Sequence, residues 1–179
     1  MGLFDLFKKK EVAAQAPAVP EGVEAQGDAN ALCAPVSGRI VPVTEVPDPV
    51  FSGEVLGHGC AIWPEGEVVY APVSGRVIVR MGHAVGVMSD SGVEAFVHVG
   101  VDTVNLQGRG FTGYVERGDE VVAGQPILKM DRSVIAEAGY EDCVVLVVSN
   151  SSDFDAVEMT VEPDAQVAAG SRVLKVQRG

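Results

Sequence analysis

The sequence predicts an all-β domain, a barrel or sandwich of two duplicated and interleaved halves with one or two short helical turns. Valine-rich apolar stretches recur from residue 31 onward, and β-branched side chains favour pleated surfaces. The 21 glycines and 10 prolines among 179 residues interrupt the chain too often for long helices. Two pairs of internal repeats indicate the duplication.

Residues 1–10 form the first predicted unit, a short amphipathic segment in which Leu and Phe residues precede three lysines. Such a segment can make weak contact with an anionic membrane surface, and a frayed terminus is the alternative. Residues 11–30 are rich in Ala, Pro, Glu and Gln and have no sustained period, which predicts a flexible linker. The folded domain is then expected at residues 31–179.

The predicted strands of this domain are short apolar stretches separated by Gly, Pro, Asp and Ser, at residues 39–43, 68–71, 77–80, 95–99, 126–130 and 144–148. One short helix is predicted at residues 132–138, because Asp131 can cap its first turn. A second helical turn is predicted near residues 151–155.

The internal repeats are two motifs that each occur twice. APVSGR at residues 34–39 recurs letter for letter at 71–76, and V-x-x-G-x-x-I-L-K at 121–129 is answered by V-x-x-G-x-x-V-L-K at 167–175. Both copies of the first motif precede both copies of the second. We therefore expect an ancestral half, with one of each, to have been duplicated and interleaved, closing the sheet so that no long edge is left unpaired.

Charge and cysteine content restrict the partners and the compartment. A net charge of −12 argues against nucleic acid and favours a basic protein partner. No secretory signal is visible, and no run approaches the roughly eighteen apolar residues of a spanning helix. The three cysteines lack metal-type spacing, so reduced thiols in a cytoplasmic protein are expected.

Chemistry is predicted at two of the three histidines. His98 follows Phe96 on the same side of a predicted strand. A hairpin turning at residues 90–92 would place 85–88 opposite 93–97 and bring His83 and His98 to one end of the pair. His58 is interpreted as a turn or surface residue. For His98, the alternative is a core histidine with its hydrogen bonds satisfied.

Two neutral imidazoles on a β scaffold suit phosphoryl transfer. Imidazole is a good nucleophile near neutral pH without an activating base. A second imidazole can donate an N–H to the phosphoryl oxygens. A glycine such as Gly100 lets a backbone carbonyl approach the nucleophile's other nitrogen and hold one tautomer.

The stretch GVEAFVHVGVDTV at residues 92–104, preceded by GHAVGV, resembles the glucose-type enzyme IIA (EIIA type-1) family of the bacterial phosphoenolpyruvate:sugar phosphotransferase system. The resemblance runs from about Cys33 to Lys175 and includes both APVSGR copies. It implies the family's duplicated β-barrel, the duplicated hybrid motif, over residues 31–179. It also implies a cytoplasmic phosphotransferase component of sugar transport that acts through a phosphohistidine. The segment at residues 1–10 could bring such a protein to the inner face of the membrane.

The resemblance also implies roles for individual residues. His98 would take phosphate at Nε2 from the carrier protein HPr and give it to a cysteine of a sugar-specific IIB domain of a IIB/IIC permease. His83 would contact the phosphate and support onward transfer, and Gly100 would support the site. No cofactor is required, although zinc could bind both histidines with a ligand from a partner, and some relatives have regulatory targets. The implied partner-binding residues are Asp48, Phe51, Val55, Leu56, Phe96, Asp102 and Val104.

One residue departs from the family pattern, because Met81 stands where the family usually has Thr. Two other protein classes are alternatives. A biotinyl or lipoyl carrier would present its lysine beside Met in a hairpin, whereas Lys129 and Met130 lie in a later predicted strand in reversed order. A zinc hydrolase of the lysostaphin type would need an H-x-H pair, and the position two before His98 is Phe96.

Overall fold

Antiparallel strands make up most of the regular secondary structure in the computed structural model, which describes residues 16–179; the predicted segment 1–10 lies outside the described residues. The strands are β1 (Ala31–Cys33), β2 (Gly38–Pro42), β3 (His58–Pro64), β4 (Val68–Tyr70), β5 (Gly75–Arg80), β6 (Ala84–Ser89), β7 (Glu94–Val99), β8 (Phe111–Gly113), β9 (Glu120–Val121), β10 (Pro126–Met130), β11 (Val144–Val148), β12 (Ala156–Met159), β13 (Gln166–Val167) and β14 (Arg172–Gln177).

Between residues 16 and 179, helical structure is confined to short pieces. Helix α2 (Arg132–Glu137) begins after Asp131, whose side chain accepts from the N–H groups of Ser133 and Val134, as predicted. Helix α1 (Pro49–Ser52) was not predicted, although Asp48 caps it in the same way and proline occupies its first position. Three 3₁₀ turns complete the set, at Val43–Glu45, Thr103–Leu106 and Ser151–Asp153.

In the part of the chain that the structure describes, the strands form three antiparallel sheets. The largest has the order β13-β2-β3-β11-β7-β6-β5-β9. Two three-stranded sheets have the orders β1-β14-β12 and β4-β10-β8. Within the described residues, β7 is therefore an interior strand, hydrogen-bonded to β11 on one side and β6 on the other.

The strand pairing confirms the interleaved duplication. Gly38, in the first APVSGR copy, pairs with Val167, which opens the second V-x-x-G motif. Gly75, in the second copy, pairs with Val121, which opens the first. The strands before each copy follow the same rule, since β1 pairs with β14 and β4 with β10. The two halves are thus nested, and neither is a continuous piece of chain.

The large sheet is covered on both faces. Val144, Leu146 and Val148 of β11 belong to the main core, which all three sheets share. The alternate residues Val145 and Val147 belong to a smaller cluster on the opposite face. Phe96 packs against that smaller cluster, so the neighbouring side chain of His98 projects from the same face.

All three cysteines are buried and free of disulfides. Burial raises the pKa of Cys60 and of Cys143 to about 12 and also raises the pKa of Cys33, so the thiols stay protonated at neutral pH. None of the helices between residues 16 and 179 has the length and apolar character needed to cross a membrane.

The stretch of residues 22–26, which we call the strap, lies across the domain. The N–H of Val23 donates to the carbonyl of Gly124 at 2.9 Å, and that of Gln26 donates to the carbonyl of Gly170 at 2.8 Å. Gly124 and Gly170 are the glycines of the two V-x-x-G motifs, so the strap touches both copies. The strap falls inside the predicted linker, and the domain boundary at residue 31 stays a prediction.

Candidate functional site

The hairpin of β6 and β7 brings His83 and His98 together in the predicted register. Val85 pairs with Val97, and Ala84 pairs with His98. His83 directly precedes β6, and its carbonyl accepts from the N–H of Val99 at 2.8 Å. The two histidines are therefore anchored at the same end of the hairpin by main-chain hydrogen bonds.

The two imidazole rings are in direct contact. Their centroids lie 4.7 Å apart and their planes are inclined by 79°, so one ring meets the other edge-on. In edge-on packing, the edge of one imidazole points at the other ring, and the ring nitrogens lie on that edge. A group attached to one ring would consequently lie within reach of the other.

The two histidines differ in exposure. His83 is buried, with 6% of its surface exposed, while His98 is half-buried. Atom Nδ1 of His98 is enclosed and makes no regular hydrogen bond within residues 16–179. The edge of the ring that carries Nε2 is therefore the part left open to a partner.

The Gly100 carbonyl is the polar group that faces the enclosed side of His98. The Gly100 backbone raises the pKa of His98, and only a hydrogen-bond acceptor has that effect on an imidazole. The contact falls short of a regular hydrogen bond, and Nδ1 has no regular hydrogen bond to any other group within residues 16–179. This contact favours a proton on Nδ1 and a lone pair on Nε2, and the supporting role of Gly100 stays a prediction.

Both imidazoles are neutral at pH 7. Burial and the neighbouring His83 lower the pKa of His98 to about 4, against the opposing effects of the Gly100 carbonyl and the Asp48 carboxylate. Burial also lowers the pKa of His83. A neutral imidazole keeps the lone pair that nucleophilic attack requires.

Aromatic rings surround the histidine pair. The ring of Phe51 lies 4.9 Å from that of His98, and the ring of Phe96 lies 6.1 Å from it. Phe51 is only 5% exposed, so its ring packs against His98 and contributes little surface to solvent. Phe111, which sequence reasoning missed, lies 6.4 Å from His83. No local pattern marked Phe111, because β8 is a three-residue strand.

Exposed apolar side chains are present where the docking patch was predicted. Val55, Leu56 and Val104 are all exposed, and Leu56 lines the same groove as Phe96. Val50 and Met81 are also exposed and were not included in the predicted patch. At the position of Met81, the thioether therefore presents an apolar surface where the family usually has a hydroxyl.

The two acidic residues of the predicted patch have different environments. Asp48 is half-buried, and its Oδ1 accepts from the N–H groups of Val50 at 2.8 Å and Phe51 at 3.4 Å. This cap fixes the start of α1 and thereby the position of Phe51 against His98. Asp102 is exposed and has a left-handed backbone with φ of 60°.

His58 is a surface residue, as predicted. It begins β3 and pairs with Val148, three positions along β11 from the partner of His98. Its Nδ1 lies 2.8 Å from a carboxylate oxygen of Glu54. Between residues 16 and 179, no group of three or more His, Cys, Asp and Glu side chains could hold a metal ion.

Residues 30–154 match the family described as "phosphoenolpyruvate-dependent sugar phosphotransferase system, EIIA 1". A curated relative, the mannose-specific EIIBCA component of Corynebacterium glutamicum, is 42% identical over 154 residues. That alignment covers 85% of this chain but 22% of the relative, so the chain spans about a fifth of that protein's length.

A relative of similar length is the glucose-specific EIIA component of Bacillus cereus, with 32% identity over 157 residues, 87% of this chain and 94% of the relative. Among solved structures, the glucose permease IIA from Mycoplasma capricolum matches with a TM-score of 0.69 and 33% identity. It covers 80% of this chain and 93% of its own.

Neither alternative class receives support from these comparisons. The structure adds a physical reason against the biotinyl or lipoyl reading of Lys129. This lysine lies within β10, between β4 and β8, with its Nζ 3.7 Å from Glu67, and not at the tip of a hairpin. The zinc hydrolase would need a third protein ligand that the described residues do not supply.

Proposed function

Because the chain belongs to the EIIA 1 family of the phosphoenolpyruvate-dependent sugar phosphotransferase system, we propose that its phosphoryl group is carried on Nε2 of His98. Membership of the family gives the chain a phosphoryl-transfer role in sugar uptake. The observation that carries the proposal is the contact of His98 with His83, in which Nδ1 of His98 is enclosed and the opposite edge is open.

The transfer is a pair of nucleophilic displacements. The Nε2 lone pair of His98 attacks the phosphorus carried by a histidine of HPr, and the donor N–P bond breaks as the new one forms. Nδ1 keeps its proton beside the Gly100 carbonyl throughout. A cysteine thiolate of a sugar-specific IIB domain then attacks the same phosphorus, and His98 leaves as neutral imidazole.

His83 acts on the phosphoryl oxygens. Its neutral ring, placed edge-on to His98, can donate one N–H to the charge that these oxygens carry. Because His83 is held by the Val99 hydrogen bond, the donor is in place before the phosphate arrives. This fixed donor stabilises the transferred group during onward delivery.

The docking surface combines an apolar patch with an acidic rim. Val55, Leu56 and Val104 supply exposed apolar area, and Asp48 and Asp102 supply negative charge. Such a surface suits brief encounters with partners that present arginines, because opposite charge speeds association while little polar area has to be desolvated. Phe51 and Phe96 pack beside His98, and Phe96 lines one groove with Leu56.

The partners are HPr on one side and a IIB/IIC permease on the other, in the cytoplasm at the inner face of the membrane. Relatives named as EIIBCA components support a sugar-specific IIB and IIC partner. Regulatory targets would use the same docking surface. No cofactor is needed, and zinc would bind His83 and His98 only where a partner supplied another ligand.

The test is phosphorylation with purified enzyme I, HPr and radiolabelled phosphoenolpyruvate. We expect one phosphate per chain, abolished by His98→Ala. His83→Gln should still accept phosphate but pass it slowly to a IIB domain. His58→Ala, which removes the exposed histidine, is the matched control and should behave like the wild type. Wild-type labelling of His98→Ala would refute the site assignment.

A further inference from the structure

A buried hydroxyl lies directly beyond the strand that carries His98. Thr103 is 0% exposed, in the first position of the 3₁₀ turn Thr103–Leu106. Its Oγ1 donates to the carbonyl of Val99, the residue that follows His98. The family pattern and the chemistry described for the two histidines assign nothing to this side chain.

The backbone between Val99 and Thr103 bends back on itself. Gly100 has φ of 77° and Asp102 has φ of 60°, both in the left-handed region, which returns Thr103 to the end of β7. The hydroxyl of Thr103 closes this bend by bonding to Val99. The bend is therefore locked by a side chain as well as by its backbone.

Thr103 also fills the space next to Gly100. A Cβ on Gly100 would lie 2.3 Å from Cγ2 of Thr103 and 2.7 Å from the carbonyl oxygen of Glu141. The N–H of Gly100 donates to the carbonyl of Cys143 at 2.7 Å. Gly100 is thus packed between Thr103 and the chain that leads into β11, and its N–H is bonded to that chain.

We propose that Thr103 is a positioning residue, which through Gly100 holds a carbonyl against Nδ1 of His98 and so keeps the lone pair on Nε2. The proposal rests on the proposed function of His98. Thr103 does not touch the transferred group. It acts through the backbone, by fixing the orientation of the Gly100 carbonyl that faces the enclosed nitrogen.

The test compares Thr103→Val, which removes the hydroxyl and keeps the branched shape, with Thr103→Ser, which keeps the hydroxyl. Long-range proton–nitrogen NMR at neutral pH reads the tautomer of His98 without any partner. We expect Thr103→Val to move His98 from Nδ1–H towards a mixture of tautomers. Phosphate acceptance from HPr should slow by about fivefold, the equivalent of one ordinary hydrogen bond. Thr103→Ser should keep the wild-type tautomer of His98 and the wild-type rate of phosphate acceptance.

Ser151 offers a matched control for a purely structural effect. It is also buried, its Oγ donates to the carbonyl of Val148 at the end of β11, and the N–H of His58 donates to it at 2.9 Å. We expect Ser151→Ala to lower stability without changing the His98 tautomer or the acceptance rate.

The proposal is overturned if Thr103→Val keeps the wild-type tautomer, or if Ser151→Ala changes the tautomer equally. If Thr103→Val does not fold, Thr103→Ser still decides, because a mixed tautomer in that variant contradicts the role of the hydroxyl. The tautomer measurement needs neither HPr nor IIB. A failure of the proposed function, seen as labelling of His98→Ala, is therefore distinguishable from a failure of this inference.

Discussion

At the scale of single residues, the enclosure of the His98 ring decides its chemistry. An exposed imidazole would be partly protonated near neutral pH and free to exchange tautomers. Burial keeps His98 neutral, and the Gly100 backbone faces its inner nitrogen. In the proposed function, this enclosure leaves Nε2 as the nitrogen available for attack.

This enclosure predicts a specific pH dependence of stability. The pKa of His98 is about 4 in the folded protein against 6.5 for an ordinary histidine. Between these values the unfolded chain binds a proton that the folded protein excludes, so the free energy of unfolding falls as pH is lowered. His98 should account for a loss of roughly 3 kcal/mol over that interval.

Urea unfolding of the wild type and of His98→Gln, at several pH values between 6.5 and 4, measures this effect. The variant cannot take up the proton, so its stability should fall less steeply than that of the wild type. Carboxylates contribute equally to both curves and cancel in the difference. Parallel curves for the two proteins would contradict the lowered pKa.

The residue types of the site were predictable, and its supporting contacts were not. Two histidines at the ends of a hairpin follow from the turn at residues 90–92 and the alternation along the strand. The burial of Phe51 and the closure by Thr103 depend on chain segments that meet only in the fold. The local sequence around Thr103 does not show whether its side chain is buried or exposed, so no local signal identifies its role.

At the scale of elements, helix α1 places Phe51 against His98, and the cap by Asp48 fixes where this helix begins. It was missed because four residues cannot show a helical period. The available signal was an aspartate followed by proline, because aspartate is a favoured N-cap and proline is favoured at the first position of a helix. Strands, in contrast, were recognisable from their valine content and from the glycines and prolines between them.

The cap of α1 predicts separable effects at Asp48. Asp48→Ala removes the acceptor for Val50 and Phe51, so we expect a loss of about 1 kcal/mol of stability and slower phosphate acceptance as Phe51 loosens from His98. Asp48→Asn keeps a capping oxygen and removes the charge. It should keep its stability and show a weaker salt dependence of association with HPr.

Thermal unfolding and phosphorylation rates at two salt concentrations distinguish these effects. Asp131→Ala is the control, because Asp131 caps α2 in the same way and α2 presents no aromatic ring to His98. It should lose a similar stability and keep its rate. If Asp131→Ala slowed phosphorylation as much as Asp48→Ala, the connection through Phe51 would be refuted.

At the scale of the whole molecule, the nested duplication explains why the ends of the domain meet. The first APVSGR copy pairs with the last V-x-x-G copy, so strands near the two ends of the domain lie side by side. The repeats made this predictable. The path of the strap was not predictable, because backbone hydrogen bonds leave no side-chain pattern in a stretch rich in Ala, Pro and Glu.

The strap contacts predict that residues 22–26 contribute to stability. Deletion of residues 1–21 leaves the bonds from Val23 and Gln26 in place, whereas deletion of residues 1–26 removes both of them. Each net backbone hydrogen bond contributes about 1 kcal/mol. We therefore expect the longer deletion to have the lower midpoint of thermal unfolding, by several degrees.

Glycine substitutions show whether the strap itself is responsible. A Cβ on Gly124 would lie 2.1 Å from the Val23 carbonyl oxygen, while one on Gly139 meets nothing within 4 Å. Both glycines have positive φ, 87° and 81°, so alanine costs each about 1–2 kcal/mol of backbone strain.

In the full chain, Gly124→Ala should lower the free energy of unfolding more than Gly139→Ala, because it also displaces the strap. After deletion of residues 1–26 the two costs should converge, since the displaced atoms are gone. Equal costs in both backgrounds would mean that the strap adds nothing to the fold.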